Sequence, residues 1–248
     1  NQLEAKSGEL TTTASKLRDA NDKLTKLSIQ KDAFLSQISH ELRTPMTSIR
    51  AFSEILQDPD LSDGDRPKYA RIIEDETQRL TRLLDDLLDL SVLENGQVSL
   101  ELRQARLRDI LDRAEASANV EQSITIRRSA GREDISILTD PDRLTQVFIN
   151  LMSNAAKYCE VQRPELIVSV SETPVGITVD FIDNGAGVDK ANQDMIFEKF
   201  ARASDHSKAG GAGLGLAICR EIISNLGGQI SYLPGQRGAA FRVSLPHD

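Results

Sequence analysis

NLMSNAAKY, residues 150–158, combines polar and apolar side chains in a pattern that decides the fold expected around it. Asn150, Asn154 and Lys157 stand at i, i+4 and i+7, so they share one face of a helix predicted over residues 141–157. Asparagines repeated on one face of a buried helix need hydrogen-bonding partners. A helix cap or a buried polar network would supply them, but the spacing favours Mg²⁺ with phosphate oxygens, because Mg²⁺ prefers oxygen ligands.

The sequence around this helix alternates between short β-type runs and helical stretches. Further helices are predicted near residues 107–118 and 213–226. The mixture predicts an α+β fold, an α/β sandwich with helices on one face of a largely antiparallel sheet. Residues 187–211 are weakly patterned and are expected to form a mobile lid. The predicted strands are 98–102, 123–127, 135–138, 166–170, 177–182, 228–233 and 240–245.

Two glycine-containing stretches follow the helix in sequence. FIDNGAGV, residues 181–188, ends a strand with Asp183, whose carboxylate can accept a hydrogen bond from an exocyclic amine such as that of adenine. GGAGLGLAI, residues 210–218, runs into a helix whose N-terminus favours phosphate. It is neither a Walker loop nor a good dinucleotide fingerprint. Each motif is weak alone, so the order and combination of the motifs carry the signal.

The N-terminal part of the chain predicts a helical hairpin. Two amphipathic helices, near 31–57 and up to about 94, flank the loop DPDLSDGDRP at 58–67. A hairpin of this kind cannot bury both apolar stripes alone, and pairing two of them gives a four-helix bundle. Burial therefore predicts a homodimer. On the first helix the stripe consists of Phe34, Ile38, Leu42, Pro45, Ile49, Phe52 and Leu56.

The first 30 residues carry leucines at a spacing of seven, Leu3, Leu10, Leu17 and Leu24. This pattern indicates a thin coiled-coil seam, a signalling helix that transmits rotation or register, with a frayed tail as the alternative. The turn ENGQ at 94–97 is expected to separate the hairpin from the α/β part and to act as a hinge.

His40 lies about 160° around the helix axis from the centre of the apolar stripe, so it is expected to face water. Glu41 follows it, and a carboxylate beside an imidazole can hold one ring N–H and leave the other nitrogen as a nucleophile. Pro45 is expected to loosen or kink the helix one turn later. Surface His-Glu neighbours without any catalytic role are common, so this pair alone does not establish catalysis.

Composition restricts the classes of partner and compartment. The net charge of -8 argues against a nucleic acid as the main partner. The two cysteines, Cys159 and Cys219, are too few for a disulfide framework or zinc site, which favours a reducing compartment. No apolar run reaches the roughly 18 residues of a membrane span. Because the first residue is Asn, we expect an excised fragment whose parent carries a sensor or membrane part upstream.

From about residue 31 onward the sequence resembles the bacterial sensor histidine kinases of two-component signalling. Five motifs occur in the order and approximate spacing of that family. They are ISHELRTPMTSI for the H-box, LTQVFINLMSNAAKY for the N-box, DNGAGV for the G1 box, IFEKFAR for the F-box and GGAGLGLAI for the G2 box. The resemblance implies a dimerisation and phosphotransfer domain at 31–95 and a Bergerat-type ATP-binding domain at 96–248, which follow the signalling helix that the leucine spacing indicates at 1–30.

The resemblance also implies roles for individual residues of the hairpin. His40 matches the phosphoacceptor and Glu41 its acid/base partner. Thr44 stands where the family's phosphatase activity positions water against the phosphorylated regulator.

In the α/β part, the resemblance makes Asn154, assisted by Asn150, the Mg²⁺-coordinating position. Lys157 and Tyr158 match nucleotide contacts, and Asp183 matches the carboxylate that reads adenine. The remaining ATP-binding matches lie in the glycine-rich turns and at the end of the F-box. They are Gly185 and Gly187 beneath the base, Arg202 toward the terminal phosphate, and Gly211, Gly213, Leu214, Gly215 and Leu216 at the lid hinge.

Three alanines depart from the family pattern. Ala186 replaces a common proline, Ala212 a frequent threonine, and Ala240 a threonine that relatives often offer to the adenine site. Loss of that last hydroxyl is expected to weaken nucleotide binding, although Asp183 remains. None of the three removes a group needed for phosphoryl transfer.

The resemblance thus implies the cytoplasmic core of a dimeric kinase that binds Mg-ATP, phosphorylates His40 and passes the phosphoryl group to an aspartate of a response regulator receiver domain. Three alternatives stay open at this point. The core could act mainly as a phosphatase through Thr44, serve as a non-catalytic scaffold, or be an ATPase of the gyrase or MutL type. The last type begins its N-box with a glutamate base where this chain has Asn150.

Overall fold

A computed structural model describes residues 2–94, 100–129, 133–201 and 213–247. Its contacts divide the chain into two compact units, Asn1–Leu80 and Thr81–Asp248. The boundary between these units falls inside a helix, whereas the sequence placed a domain boundary at 95/96. The ENGQ hinge predicted there lies, apart from its first residue, outside the described residues, and the three-domain division stays a prediction.

The first unit is a helical hairpin, as predicted. Helix α1 spans Gln2–Leu56 without interruption, and helix α2 spans Arg66–Glu94, with its second half in the second unit. Phe52 stacks on Tyr69 with ring centroids 5.5 Å apart, which ties the two helices together next to the loop. In the same place the Arg66 guanidinium donates hydrogen bonds to the backbone oxygens of Leu56 and Asp58, at 3.1 and 3.2 Å.

Burial along α1 follows the predicted stripe. Pro45 is buried although it lies inside the helix, and the other stripe residues are half-buried. The missing amide hydrogen of Pro45 leaves one turn of the helix without its regular hydrogen bond. The α-helix nevertheless continues through it to Leu56.

The second unit contains a five-stranded sheet in the order β2-β4-β5-β7-β6 and a two-stranded sheet of β1 and β3. In the described parts of the chain only β2 and β4 pair in parallel, and the other strand pairs are antiparallel, which confirms the largely antiparallel sheet. The strands are β1 Arg103–Arg106, β2 Thr125–Arg128, β3 Ser136–Thr139, β4 Glu165–Thr173, β5 Gly176–Asp183, β6 Gln229–Tyr232 and β7 Ala240–Pro246.

Three helices pack on the buried face of the five-stranded sheet: α3 Leu107–Ala118, α4 Pro141–Tyr158 and α5 Gly215–Asn225. Phe148 of α4 meets Phe181 of β5 with ring centroids 5.2 Å apart, so the central helix packs directly on the central strand. Outward-facing positions of the same strand, such as Asp180, are polar and only half-buried. This alternation is typical of a sheet with one solvated face.

One predicted strand is misplaced. The sequence predicts a strand at 98–102, but residues 100–102 form no strand and β1 begins at Arg103. Arg103 pairs with Thr139 and Arg106 with Ser136. Pairing with β3 therefore determines which residues form strand β1. The sequence RQAR has no apolar alternation that could have revealed it.

Among the residues that the structure describes, no helix is both long and apolar enough to cross a membrane.

Candidate functional site

A cavity of about 510 Å³ lies in the second unit where α4, the end of β5 and the start of α5 meet. The polar face of α4 lines one wall, and the apolar side chains of Phe181 and Phe241 line another. The structure thus brings together most of the residues that the sequence selected. They are Asn150, Asn154, Lys157, Tyr158, Asp183, Gly187, Gly213, Leu214, Gly215 and Leu216.

Asp183 is the last residue of β5 and is only 8% exposed at the cavity wall. Its Oδ1 accepts hydrogen bonds from the backbone amides of Gly185 (2.8 Å) and Ala239 (3.0 Å). Both bonds use the same oxygen, which leaves Oδ2 for a ligand in the cavity. Burial raises the pKa of this carboxyl, while the two amide hydrogen bonds lower it.

Gly238 was not among the residues singled out from the sequence, yet Asp183 depends on it. A Cβ atom on Gly238 would lie 2.1 Å from the Asp183 backbone oxygen and 2.5 Å from its Oδ1. Gly187 has a φ of +77°, which side chains rarely adopt, and a Cβ atom there would lie 3.2 Å from the Gly238 carbonyl oxygen. The turn beneath the carboxylate therefore has no room for side chains, a requirement created by tertiary contact and invisible in the local sequence.

The start of α5 is fixed by an unusual backbone pair. Gly213 has φ of +70°, and Phe200, a residue with a side chain, has φ of +61°. The Phe200 amide donates to the Gly213 carbonyl at 2.9 Å, which places Gly215 opposite Asn150. Two predicted residues of this region, Arg202 and Gly211, lie outside the described residues, as do positions 202–211 of the predicted lid.

The cavity contains a charged pair that the sequence did not reveal. Asp86 of α2 lines the same wall as Lys157 of α4. Burial, followed by the neighbouring Asp89 carboxylate, raises the pKa of Asp86 to about 6. Burial and the nearby Arg82 lower the pKa of Lys157, and Asp86 opposes this effect. Asp86 could not be found from the helical pattern, because its position depends on how α2 docks on α4.

Of the alanines that depart from the family pattern, Ala240 is completely buried and does not line the cavity, whereas its neighbour Ala239 does. Ala212 lies outside the described residues.

His40, Glu41 and Thr44 belong to the first unit. His40 is exposed on α1, on the side away from the apolar stripe. The Glu41 carboxylate forms an ion pair with Arg79 of α2 at 3.7 Å. The Thr44 hydroxyl donates to the His40 backbone oxygen at 3.3 Å, so it stands one turn from the imidazole.

Two family models match the chain. Residues 30–96 match the His Kinase A (phospho-acceptor) domain, and residues 139–248 match the histidine kinase-, DNA gyrase B-, and HSP90-like ATPase domain. The first match contains His40, and the second contains every described residue of the cavity except Asp86.

The chain is also similar to curated sensor protein kinases. The chain is 35% identical over 227 residues to the sensor protein kinase WalK of Staphylococcus saprophyticus, an alignment that covers 88% of this chain and 37% of that protein. A WalK of Staphylococcus aureus is 34% identical, with 88% and 54% covered. The chain therefore spans only about a third to a half of the length of these relatives.

Solved structures show the same fold. The Acinetobacter baumannii histidine kinase AdeS superposes with a TM-score of 0.70 at 23% identity, covering 84% of this chain and 98% of that one. Full-length ShkA in complex with AMPPNP gives a TM-score of 0.61 at 26% identity, covering 86% and 45%. Motif order, both family models and the relatives agree, and the chain belongs to the sensor histidine kinases of bacterial two-component signalling.

Proposed function

We propose that the second unit binds Mg-ATP. The γ-phosphoryl group of this ATP is transferred to His40 and then to an aspartate of a response regulator receiver domain. The observation that carries this proposal is the cavity in which the Asn150–Asn154 face, the Asp183 carboxylate and the start of α5 converge. A phosphoacceptor candidate, His40, is exposed on a continuous helix of the same chain.

The cavity offers separate groups to the two ends of a nucleotide. The free Oδ2 of Asp183 suits the exocyclic amine of adenine, with Phe181 and Phe241 as apolar walls. At the other end, the amides at the start of α5 and the ammonium of Lys157 suit phosphate oxygens. The distribution of groups therefore favours adenine at Asp183 and phosphates near Asn150.

The donor set near the phosphate end fits Mg²⁺. Asn150 and Asn154 contribute amide oxygens, and no cluster of three or more His, Cys, Asp or Glu suited to a metal occurs in the described part of the chain. Such a site relies on one or two protein oxygens plus phosphate oxygens and water, the mode that Mg²⁺ favours. When bound, the ion neutralises charge on the phosphates.

Phosphoryl transfer to His40 depends mainly on correct positioning of the ATP and the imidazole, and it needs little covalent catalysis by other protein groups. A ring nitrogen of His40 supplies the electron pair for the new N–P bond. The bond from the γ-phosphorus to its bridging oxygen breaks, and ADP leaves with that electron pair. Glu41 accepts a hydrogen bond from the other ring N–H in this scheme, and Thr44 is placed one turn away for hydrolysis of the phosphorylated regulator.

Dimerisation follows from surface that one hairpin leaves uncovered. Leu84, Leu88 and Val92 form an exposed apolar row at i, i+4 and i+8 on α2. Met46 and Ile55 expose apolar surface on α1. A second hairpin covers such rows in a four-helix bundle, so we propose the homodimer as the working form.

Incubation with γ-labelled ATP tests the proposed reaction. Wild type is expected to acquire acid-labile, alkali-stable label, and His40→Gln none. His247→Gln is the matched control, because His247 is exposed, bonds to the Thr173 backbone oxygen and does not line the cavity. Steady ATP hydrolysis that ignores His40 would point to an ATPase instead. Nucleotide binding without label or hydrolysis would point to a scaffold.

A further inference from the structure

Asp86 lines the cavity because the second half of α2 is docked on α4. The Asp89 carboxylate, one turn further along α2, accepts from Gln146 at 2.8 Å and pairs with Arg143 at 3.3 Å. Leu90 and Leu93 are 1% and 2% exposed, so one face of the end of this helix is buried. The polar contacts and the apolar contacts together hold the Asp86 carboxylate in the wall that it shares with Lys157.

A carboxylate in this position conflicts with a polyphosphate. In the proposed function the phosphate tail uses the Lys157 ammonium, and Asp86 lines the same cavity and interacts electrostatically with Lys157. Two negative groups that face each other in a partly buried site repel more strongly than they would in water. Docked α2 and bound triphosphate therefore disfavour each other.

Accepting the nucleotide site of the proposed function, we propose that Asp86 determines the affinity of the cavity for the phosphate tail. It does so by competing for Lys157, and this competition couples nucleotide binding to the docking of residues 81–94 on α4. A triphosphate binds weakly while Asp86 is docked and charged. It binds tightly once the helix end moves away or the carboxylate loses its charge.

The electrostatic surroundings support this competition. Because the pKa of Asp86 is raised to about 6, the carboxylate is charged at pH 7.5 and protonated at pH 5. The competition is therefore present above pH 6 and lost as the pH falls through 6. The groups that act on Asp86 or feel its charge are Arg82, Asp85 and Asp89 on α2, Lys157 on α4 and Cys219 on α5.

Calorimetric titration of the 248-residue chain with ATP, ADP and adenosine, each with Mg²⁺, tests the proposal through Asp86→Asn. At pH 7.5 we expect the variant to bind ATP about tenfold more tightly than wild type. The gain in its affinity for ADP is expected to be smaller. Adenosine, which has no phosphates, is expected to bind equally to both proteins. Between pH 7.5 and 5 the ratio of the two ATP dissociation constants is expected to fall to about one.

Asp85→Asn is the matched control, because it removes the same charge from a neighbouring residue. Asp85 is exposed and does not line the cavity. It is expected to leave ATP affinity within about twofold of wild type. Asp89→Asn cuts the bonds to Arg143 and Gln146, and it is expected to tighten ATP binding by loosening the docked helix.

Unchanged ATP affinity in Asp86→Asn would overturn the proposal. Weakened affinity would also overturn it and would make Asp86 a ligand of the Mg-nucleotide. If neither ATP nor adenosine binds to any of the proteins, the proposed nucleotide site itself is wrong, so the two failures are distinguishable. Far-ultraviolet circular dichroism of each variant separates loss of fold from loss of binding.

Discussion

Asp183 shows how one side chain is prepared for a ligand. Its Oδ1 accepts hydrogen bonds from two backbone amides, and its Oδ2 accepts none from another described residue. The sequence predicted this residue because an Asp that ends a strand before two glycines occurs in order with the other motifs, although the pattern is weak alone. Gly238 was missed because its requirement arises from the Asp183 backbone oxygen, 55 positions earlier in the numbering, and a Cβ distance of 2.1 Å.

Asp183→Asn is expected to reduce ATP affinity by about 10- to 100-fold. If Oδ1 keeps its two amide bonds, the substitution places an NH₂ donor where the adenine amine also donates. Displacement of a fluorescent nucleotide measures the effect. Asp180→Asn on the solvated side of the same strand is the control, because Asp180 pairs with Arg242 and does not line the cavity. Equal affinities of Asp183→Asn and wild type would contradict the assignment of the base end.

Helix α4 positions the polar face of the cavity, and its first turn is set by one side chain. Asp140 Oδ1 accepts from the amides of Asp142 and Arg143, both at 3.1 Å, and Pro141 occupies the first turn. Asp140 Oδ2 accepts from the Glu101 amide at 3.1 Å, so the cap also holds the segment before β1. Loss of this carboxylate leaves three amide donors in a part-buried region without partners.

We expect Asp140→Ala to lower the free energy of unfolding by about 2 kcal/mol, from the lost cap and the unsatisfied donors. Asp140→Asn keeps an acceptor for the helix amides and is expected to lose less than about 1 kcal/mol. Urea unfolding followed by circular dichroism measures both. A stability of Asp140→Ala equal to that of wild type would show that the cap has no energetic role.

The elements differ in how well the sequence predicts them, for physical reasons. Helix α3 is found at Leu107–Ala118, within the predicted limits, because its buried leucines and isoleucine repeat with helical spacing. Strand β1 could not be predicted, since RQAR becomes a strand only through its pairing with β3. Docking of α2 on α4, which brings Asp86 to the cavity, is likewise a long-range contact without a local pattern.

At the scale of the whole molecule, the exposed apolar side chains on the hairpin indicate that a single chain leaves apolar surface uncovered. Leu88 is 66% exposed in the middle of its row on α2, and a partner hairpin would remove that surface from water. Burial of one leucine contributes about 1.5–3 kcal/mol, and a twofold-symmetric dimer buries two copies.

Leu88→Glu is therefore expected to weaken dimerisation by at least about 100-fold, because it removes this apolar burial and adds two charges. Sedimentation equilibrium over a range of protein concentrations measures the change. Leu102→Glu is the control: Leu102 is 52% exposed but lies outside the helices, and this variant is expected to remain a dimer. Monomeric wild type at high concentration would refute the proposed assembly.

Helix α1 carries His40 on the same uninterrupted α-helix as its N-terminal residues, and its only proline, Pro45, comes after His40. At 1.5 Å per residue, about 57 Å of regular helix separates Gln2 from His40. A twist applied near residue 2 therefore turns the imidazole through the same angle. An inserted residue anywhere in between shifts the angular phase of the two ends by about 100°. The angle at which His40 points around the helix axis is thus set by the contacts at the N-terminal end of α1. These contacts need not touch the imidazole itself.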